Sequence, residues 1–118
     1  LAETYLLLAE AYLRQNMPDK AADAVNEVRR RAKVADVSDD EMTMDYLLDE
    51  RIRELYGEES RRFTLVRTGK LIERVKKYNP EARDLIQDFH VLWPIPQAVR
   101  DANTGEFPQN PGYEGYEG

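Results

Sequence analysis

No cysteine occurs in the chain, and His90 is its one histidine. Disulfides, thiolate metal sites and multi-histidine metal sites are therefore excluded. Only two serines are present, Ser38 and Ser60, and neither sits in a nucleophile elbow. A glycine-rich phosphate loop is also missing. No apolar run approaches the roughly 18 residues that a membrane-spanning helix needs. Excess positive charge is absent too: the formal net charge is −6, against the basic footprint that nucleic-acid binding requires. Proline and glycine are scarce early and common late. Five of the six prolines and four of the six glycines follow Asn79. Helices are thus expected in the first two thirds and irregular backbone after them.

What is present supports a folded chain. Hydrophobic residues make up 42% and charged ones 34% of the 118 residues, a balance that can fill a modest core. The chain opens without Met and in mid-pattern, which reads as part of a longer polypeptide. A first helix is expected from about Ala2 to Gln15, with Tyr5, Leu8, Ala9 and Tyr12 at helical spacing and Leu6, Leu7 and Leu13 widening the stripe. After the turn Asn16-Met17-Pro18-Asp19, a second helix carries Ala21, Ala22, Val25 and Val28 on its apolar face. Tyr5, Leu8, Ala9, Tyr12, Ala21 and Val25 match the pattern of one tetratricopeptide repeat over 1–33, in which small residues let two helices approach closely.

Residues 33–42 form a polar connector with capping-box spacing from Ser38 to Glu41. Asp36, Asp39, Asp40 and Glu41 offer oxygen ligands there but lack EF-hand spacing, so no metal site is assigned. Thr43 is the N-cap expected for a long, kinked helical segment over 43–78, with soft points at Gly57 and Gly69. Met44, Leu47, Leu48, Ile52, Leu55 and Tyr56 are its first apolar stripe. Glu50 with Arg53, Glu54 with Arg51, and Glu58 with Arg61 fall at ion-pair spacing. Exposed pairs on a helix are the simple reading; a partly buried arginine–carboxylate network that fixes how the helix docks is the other. Residues 81–88 could add a short helix, and 89–118 reads as an extended, Pro/Gly-rich tail with one helical turn near Gln97–Ala102. Trp93, Tyr113 and Tyr116 are the aromatics outside the helical stripes and the candidate ligand contacts. Trp93 is expected to lie beneath the Pro94-Ile95-Pro96 strap, and His90 reads as structural. The fold class is all-α: a tetratricopeptide-like hairpin, further helices and an irregular Pro-rich C-terminal segment.

Six segments in order carry a family resemblance. They are the opening helix from Glu3 to Leu13, the run Asn26-Glu27-Val28-Arg29-Arg30-Arg31-Ala32, and Glu50-Arg51-x-x-Glu54-Leu55. Then follow Arg67-Thr68-Gly69-Lys70-Leu71, Pro94-Ile95-Pro96 and Gln109-Asn110-Pro111-Gly112-Tyr113. Their order resembles the C-terminal region of the SusD/RagB family across 1–118. Glu59-Ser60 and Thr64-Leu65 depart from the family's usual Glu-Gly and Asp-Leu. The resemblance implies a surface-exposed lipoprotein of the outer membrane that captures oligosaccharide and delivers it to a TonB-dependent, SusC-like transporter. It implies no bond cleavage and no cofactor. Attachment to the membrane would be through a lipidated N-terminal cysteine that these residues do not contain. Two other readings stand beside it: a tetratricopeptide-type adaptor for proteins, which should repeat at a period near ~34 residues, and a glycosidase working through a carboxylate pair.

Overall fold

The computed structural model describes residues 1–117, and every regular element among them is helical. Two compact units divide the chain, Leu1–Arg61 and a second beginning at Arg62. The first holds α1 (Ala2–Arg14), α2 (Pro18–Arg31), a 3₁₀ turn at Asp39–Glu41, and α3 (Met44–Glu54). Further along come α4 (Arg61–Arg67), α5 (Leu71–Tyr78), a 3₁₀ turn at Asp88–Val91, and α6 (Gln97–Asp101). The expected kinked segment over 43–78 is thus three helices. Residues 81–88 form turns, with the Asn79 side-chain oxygen accepting from the N–H groups of Glu81 and Ala82 at 3.1 and 3.0 Å.

Local chemistry explains the helix ends. α1 stops at a two-bond cap in which Met17 N–H reaches Tyr12 C=O and Asn16 N–H reaches Leu13 C=O, with Asn16 left-handed at φ 58°. α2 closes the same way: Val34 N–H bonds Arg29 C=O, Lys33 N–H bonds Arg30 C=O, and Lys33 has φ 59°. α4 repeats the device with Gly69, at φ 71°, in the residue position that glycine favours. Pro18 opens α2, where its missing N–H removes no helical bond. Thr43 caps α3 by accepting from Tyr46 N–H at 3.2 Å.

α1 packs on α2, and α3 lies against α1. Leu6, Ala9, Ala21, Ala22, Val25, Val28 and Leu47 form the centre of the first unit's core. Ala9, Ala21 and Ala22 are among the buried residues of this helix pair. One expected core residue is displaced: Leu8 is 42% exposed, and Leu6 takes the buried position. Three successive leucines offered three ways to orient the face, and α1 turns the one that meets both α2 and α3. Tyr5 and Tyr12 pack at the core's margin. Along α3, Leu47, Leu48 and Leu55 are buried as expected, but Ile52 and Tyr56 are exposed; Glu50 and Arg51 are buried instead.

Two of the sequence motifs interlock inside this unit. Asn26 is buried and makes a reciprocal pair with the connector: its Nδ2 donates to Val37 C=O at 3.0 Å, and its Oδ1 accepts Val37 N–H at 2.8 Å. Arg29 donates to Ala35 C=O at 2.7 Å and to Glu50 at 2.8 Å, while Arg31 pairs with Glu54. Val28 and Leu55 fill core positions between these polar contacts. So the Asn26–Ala32 motif and the Glu50–Leu55 motif are complementary halves of one junction.

The ion pairs differ from the spacing-based expectation. Glu50 does pair with Arg53, at 2.6 Å. Glu54 turns to Arg31 rather than Arg51. Arg51 instead meets Glu59 at 2.5 Å, and Arg61 also reaches Glu59 rather than Glu58. Spacing within one helix cannot register partners arriving from α2 or from the loop after Gly57. Burial opposes the charge on Arg53, yet the hydrogen bond and negative charge of Glu50 outweigh it and raise its pKa above the ordinary value. At the exposed connector, hydrogen bonds from the Ser38 hydroxyl and then its N–H hold the Glu41 carboxyl below the ordinary range.

Asn26→Ala is expected to destabilise the chain by about 1–3 kcal/mol, because it strips both partners from the Val37 peptide. Urea unfolding followed by circular dichroism measures this; an unchanged midpoint would show that the connector is held by other contacts.

Candidate functional site

The second unit is organised around a strap that cannot pair as a strand. Pro94 and Pro96 lack N–H groups and hold the backbone extended around Ile95. The Gln109 amide replaces the missing partner strand. Its Oε1 accepts Ile95 N–H at 2.7 Å, and its Nε2 donates to Ile95 C=O at 2.9 Å. Asn110 Nδ2 donates to Trp93 C=O at 2.7 Å, and Tyr113 Oη donates to Leu92 C=O at 2.7 Å. Residues 109–113 therefore clamp residues 92–96 by side chains alone. The clamp is seated on Phe89, whose ring meets Tyr113 edge-on at 4.9 Å and His90 at 4.2 Å. Arg100 on α6 ties the tail, donating to Phe107 C=O and Gly115 C=O at 3.1 and 3.2 Å.

Beside the clamp lies an open groove of about 480 Å³. Ala82, Leu85, Ile86 and Pro94 supply its apolar lining; Arg62, His90, Trp93 and Tyr113 supply aromatic and polar atoms. Arg62, near the start of α4, is fixed by donation from Nη2 to His90 C=O at 2.5 Å. Its guanidinium stands 5.2 Å from the Trp93 ring centroid, in cation–π geometry. Phe63 stacks loosely on Trp93, with centroids 6.5 Å apart. His90 Nδ1 accepts Gln87 N–H at 2.8 Å, which leaves the ring's proton on Nε2. Aromatic faces, an arginine and a few ring donors on an apolar bed can bind an amphipathic ligand with polar edges. No group of three or more His, Asp or Glu side chains is placed to hold a metal among the described residues.

Trp93, expected beneath the strap, is 61% exposed: the strap's carbonyls are clamped, and the indole is turned out. It shares the groove with Tyr113, whereas Tyr116 lies exposed on the tail and is not among the lining residues. Arg62, Leu85 and His90 were not picked out as ligand contacts from sequence. Arg62 reads as one more charge in an arginine-rich helix, and nothing local ties it to residues 82–94. A signal for the clamp was available: an extended Pro-x-Pro run leaves one peptide needing both a donor and an acceptor, and Gln-Asn downstream supplies them.

Among the described residues, then, all regular structure is helical, two arginine–carboxylate motifs interlock, and a proline strap is closed by a Gln-Asn-Pro-Gly-Tyr clamp. The sequence profile of the SusD family matches residues 1–113, and the chain belongs to that family. It is 34% identical to SusD-like protein P25 of Formosa agariphila over 81% of this chain and 20% of that protein. To SusD-like protein P38 of the same organism it is 31% identical, over 80% of this chain and 20% of the relative. Starch-binding protein SusD of Bacteroides thetaiotaomicron is 35% identical over 97% of this chain and 21% of its own length. The chain thus spans about a fifth of the length of these curated relatives. No solved structure matches it significantly. No helix among the described residues is long and apolar enough to cross a membrane.

Proposed function

We propose that this chain is the C-terminal scaffold of a glycan-binding surface lipoprotein that captures oligosaccharide and passes it, uncut, to a TonB-dependent outer-membrane transporter. Membership of the SusD family across residues 1–113 carries this reading. The starch-binding name of one relative supports a saccharide ligand. The groove beside Trp93 adds a surface chemically suited to sugars, whose C–H faces stack on rings while hydroxyls take hydrogen bonds. The reading is tested on the full polypeptide recovered from outer-membrane fractions of its source cells. It is expected to begin with an acylated cysteine, to copurify with a barrel transporter, and to retain oligosaccharide whose length is unchanged after long incubation. Shortened saccharide would make it a hydrolase, and recovery from the cytosol without a lipid would favour the adaptor.

A further inference from the structure

The lining of the Trp93 groove has a charge character unlike that of the chain. The chain carries 23 acidic against 17 basic side chains, yet among the described residues no carboxylate lines this groove. Its charged group is a cation, Arg62, which is partly buried and spends one N–H on His90 C=O. Among the described residues, the Nε and Nη1 donors of Arg62 make no hydrogen bond. Among the described residues, Trp93 Nε1–H and the Nε2–H that His90 keeps likewise make no hydrogen bond, so three of the lining side chains carry uncommitted donors. Tyr113 Oη, already donating to Leu92, adds a single acceptor. A neutral sugar's hydroxyls accept from such donors, but only as neutral acceptors, and their own O–H groups find few acceptors here. A sugar bearing a carboxylate or a sulfate ester presents acceptors only at that substituent, and a guanidinium meets it by charge-assisted hydrogen bonds. The Trp93 ring and the Leu85–Ile86–Pro94 surface would take the apolar face of the same ring.

We propose that this groove is a subsite for an anionic sugar unit, a uronate or a sulfated residue, with Arg62 as its anion contact and Trp93 as its stacking platform. The proposal rests on the glycan-binding reading above and adds the chemical class of the sugar.

The chain's one tryptophan lies in the groove, so intrinsic fluorescence reports occupancy directly. The full chain would be titrated with trigalacturonate, with a sulfated trisaccharide, with neutral maltotriose and with inorganic sulfate, by Trp93 emission and by calorimetry in parallel. A saturable Trp93 response to one or both acidic sugars, about tenfold tighter than to maltotriose, is expected, since one charge-assisted contact separates them; the two acidic arms tell uronate from sulfate ester. Arg62→Met should abolish that preference. Because Arg62 also supports His90, Leu85→Glu is the second variant: Leu85 is 72% exposed, so the fold is untouched while a carboxylate is placed at the rim. Loss of the apolar contact weakens both sugars, and the added carboxylate should weaken the acidic sugar about tenfold more than maltotriose. Equal affinity for acidic and neutral sugars overturns the proposal, as does sulfate ion alone matching the acidic sugars. Calorimetric binding with silent Trp93 overturns it while leaving the glycan reading standing. No binding of any saccharide by either method overturns the subsite and counts against the glycan reading together.

Discussion

Glu59→Gln is expected to cost about 3–5 kcal/mol of stability, the range seen when one member of a buried ion pair is removed. Arg51 is among the most buried large side chains of the chain, at 2% exposure. Its Nε donates to Glu59 at 2.5 Å, and the Glu59 side chain is itself nearly inaccessible. The other carboxylate near Arg51, Glu3, stands 3.7 Å away and is mostly exposed, so water screens it. Among the described residues Arg51 Nη1 makes no hydrogen bond, so the guanidinium depends all the more on Glu59. Glutamine keeps the shape of Glu59 and deletes its charge, leaving a guanidinium buried without compensation. Thermal and urea melts of the variant check this. The double variant Arg51→Met with Glu59→Met should recover most of the loss, because a buried pair replaced by apolar atoms can be close to neutral. Equal melting of Glu59→Gln and the parent would mean that Arg51 is hydrated.

Gly112→Ala carries the second largest expected effect. Gly112 has φ 87°, a left-handed conformation that disfavours any side chain by roughly 1–2 kcal/mol. A Cβ there would also overlap the Phe89 ring, and overpacking of this kind costs about 1–3 kcal/mol. The two together suggest a loss of about 2–5 kcal/mol, felt in the second unit. The displaced ring would take with it the edge-on contact to Tyr113 and the Tyr113 bond to Leu92. Near-ultraviolet circular dichroism should fall while the helical signal of α1–α3 survives. Gly105→Ala is the control: no positive φ and no neighbour within 4 Å constrain it, so it should melt like the parent. If both variants behave alike, residues 109–113 do not seat on Phe89.

Much of this architecture could be read from the residues. Pro18 and Thr43 marked helix starts because each satisfies a local backbone requirement that involves no distant partner, whereas Gly69, expected as a soft point within a helix, ends one. The alternation of small and large residues on α1 and α2 gave the hairpin for the same reason. Where the reading slipped, the deciding partner was remote. Leu6 and Leu8 are equivalent to periodicity, and α3, some thirty residues on, chooses between them. Glu54 lies at pairing distance from Arg51 along its own helix, yet Arg31 competes from α2 and wins. A large aromatic beside prolines is expected to be buried, yet the Asn110 and Gln109 bonds fix the strap by its backbone and leave the Trp93 indole outside. The arginine–carboxylate groups were visible as a composition, but only the loop that follows Gly57 made one of them a buried pair.

The Gln109 clamp has a consequence for how the chain behaves among other chains. Extended backbone at a surface is ordinarily a template: its spare N–H and C=O groups invite another strand, and aggregation begins at such edges. In residues 94–96 the two prolines offer no N–H at all. The one residue there with an N–H to offer, Ile95, has both its donor and its acceptor taken by one glutamine amide. The strap is thus extended without being an edge, and a protein can display it, with Trp93 alongside, without inviting its neighbours to join a sheet.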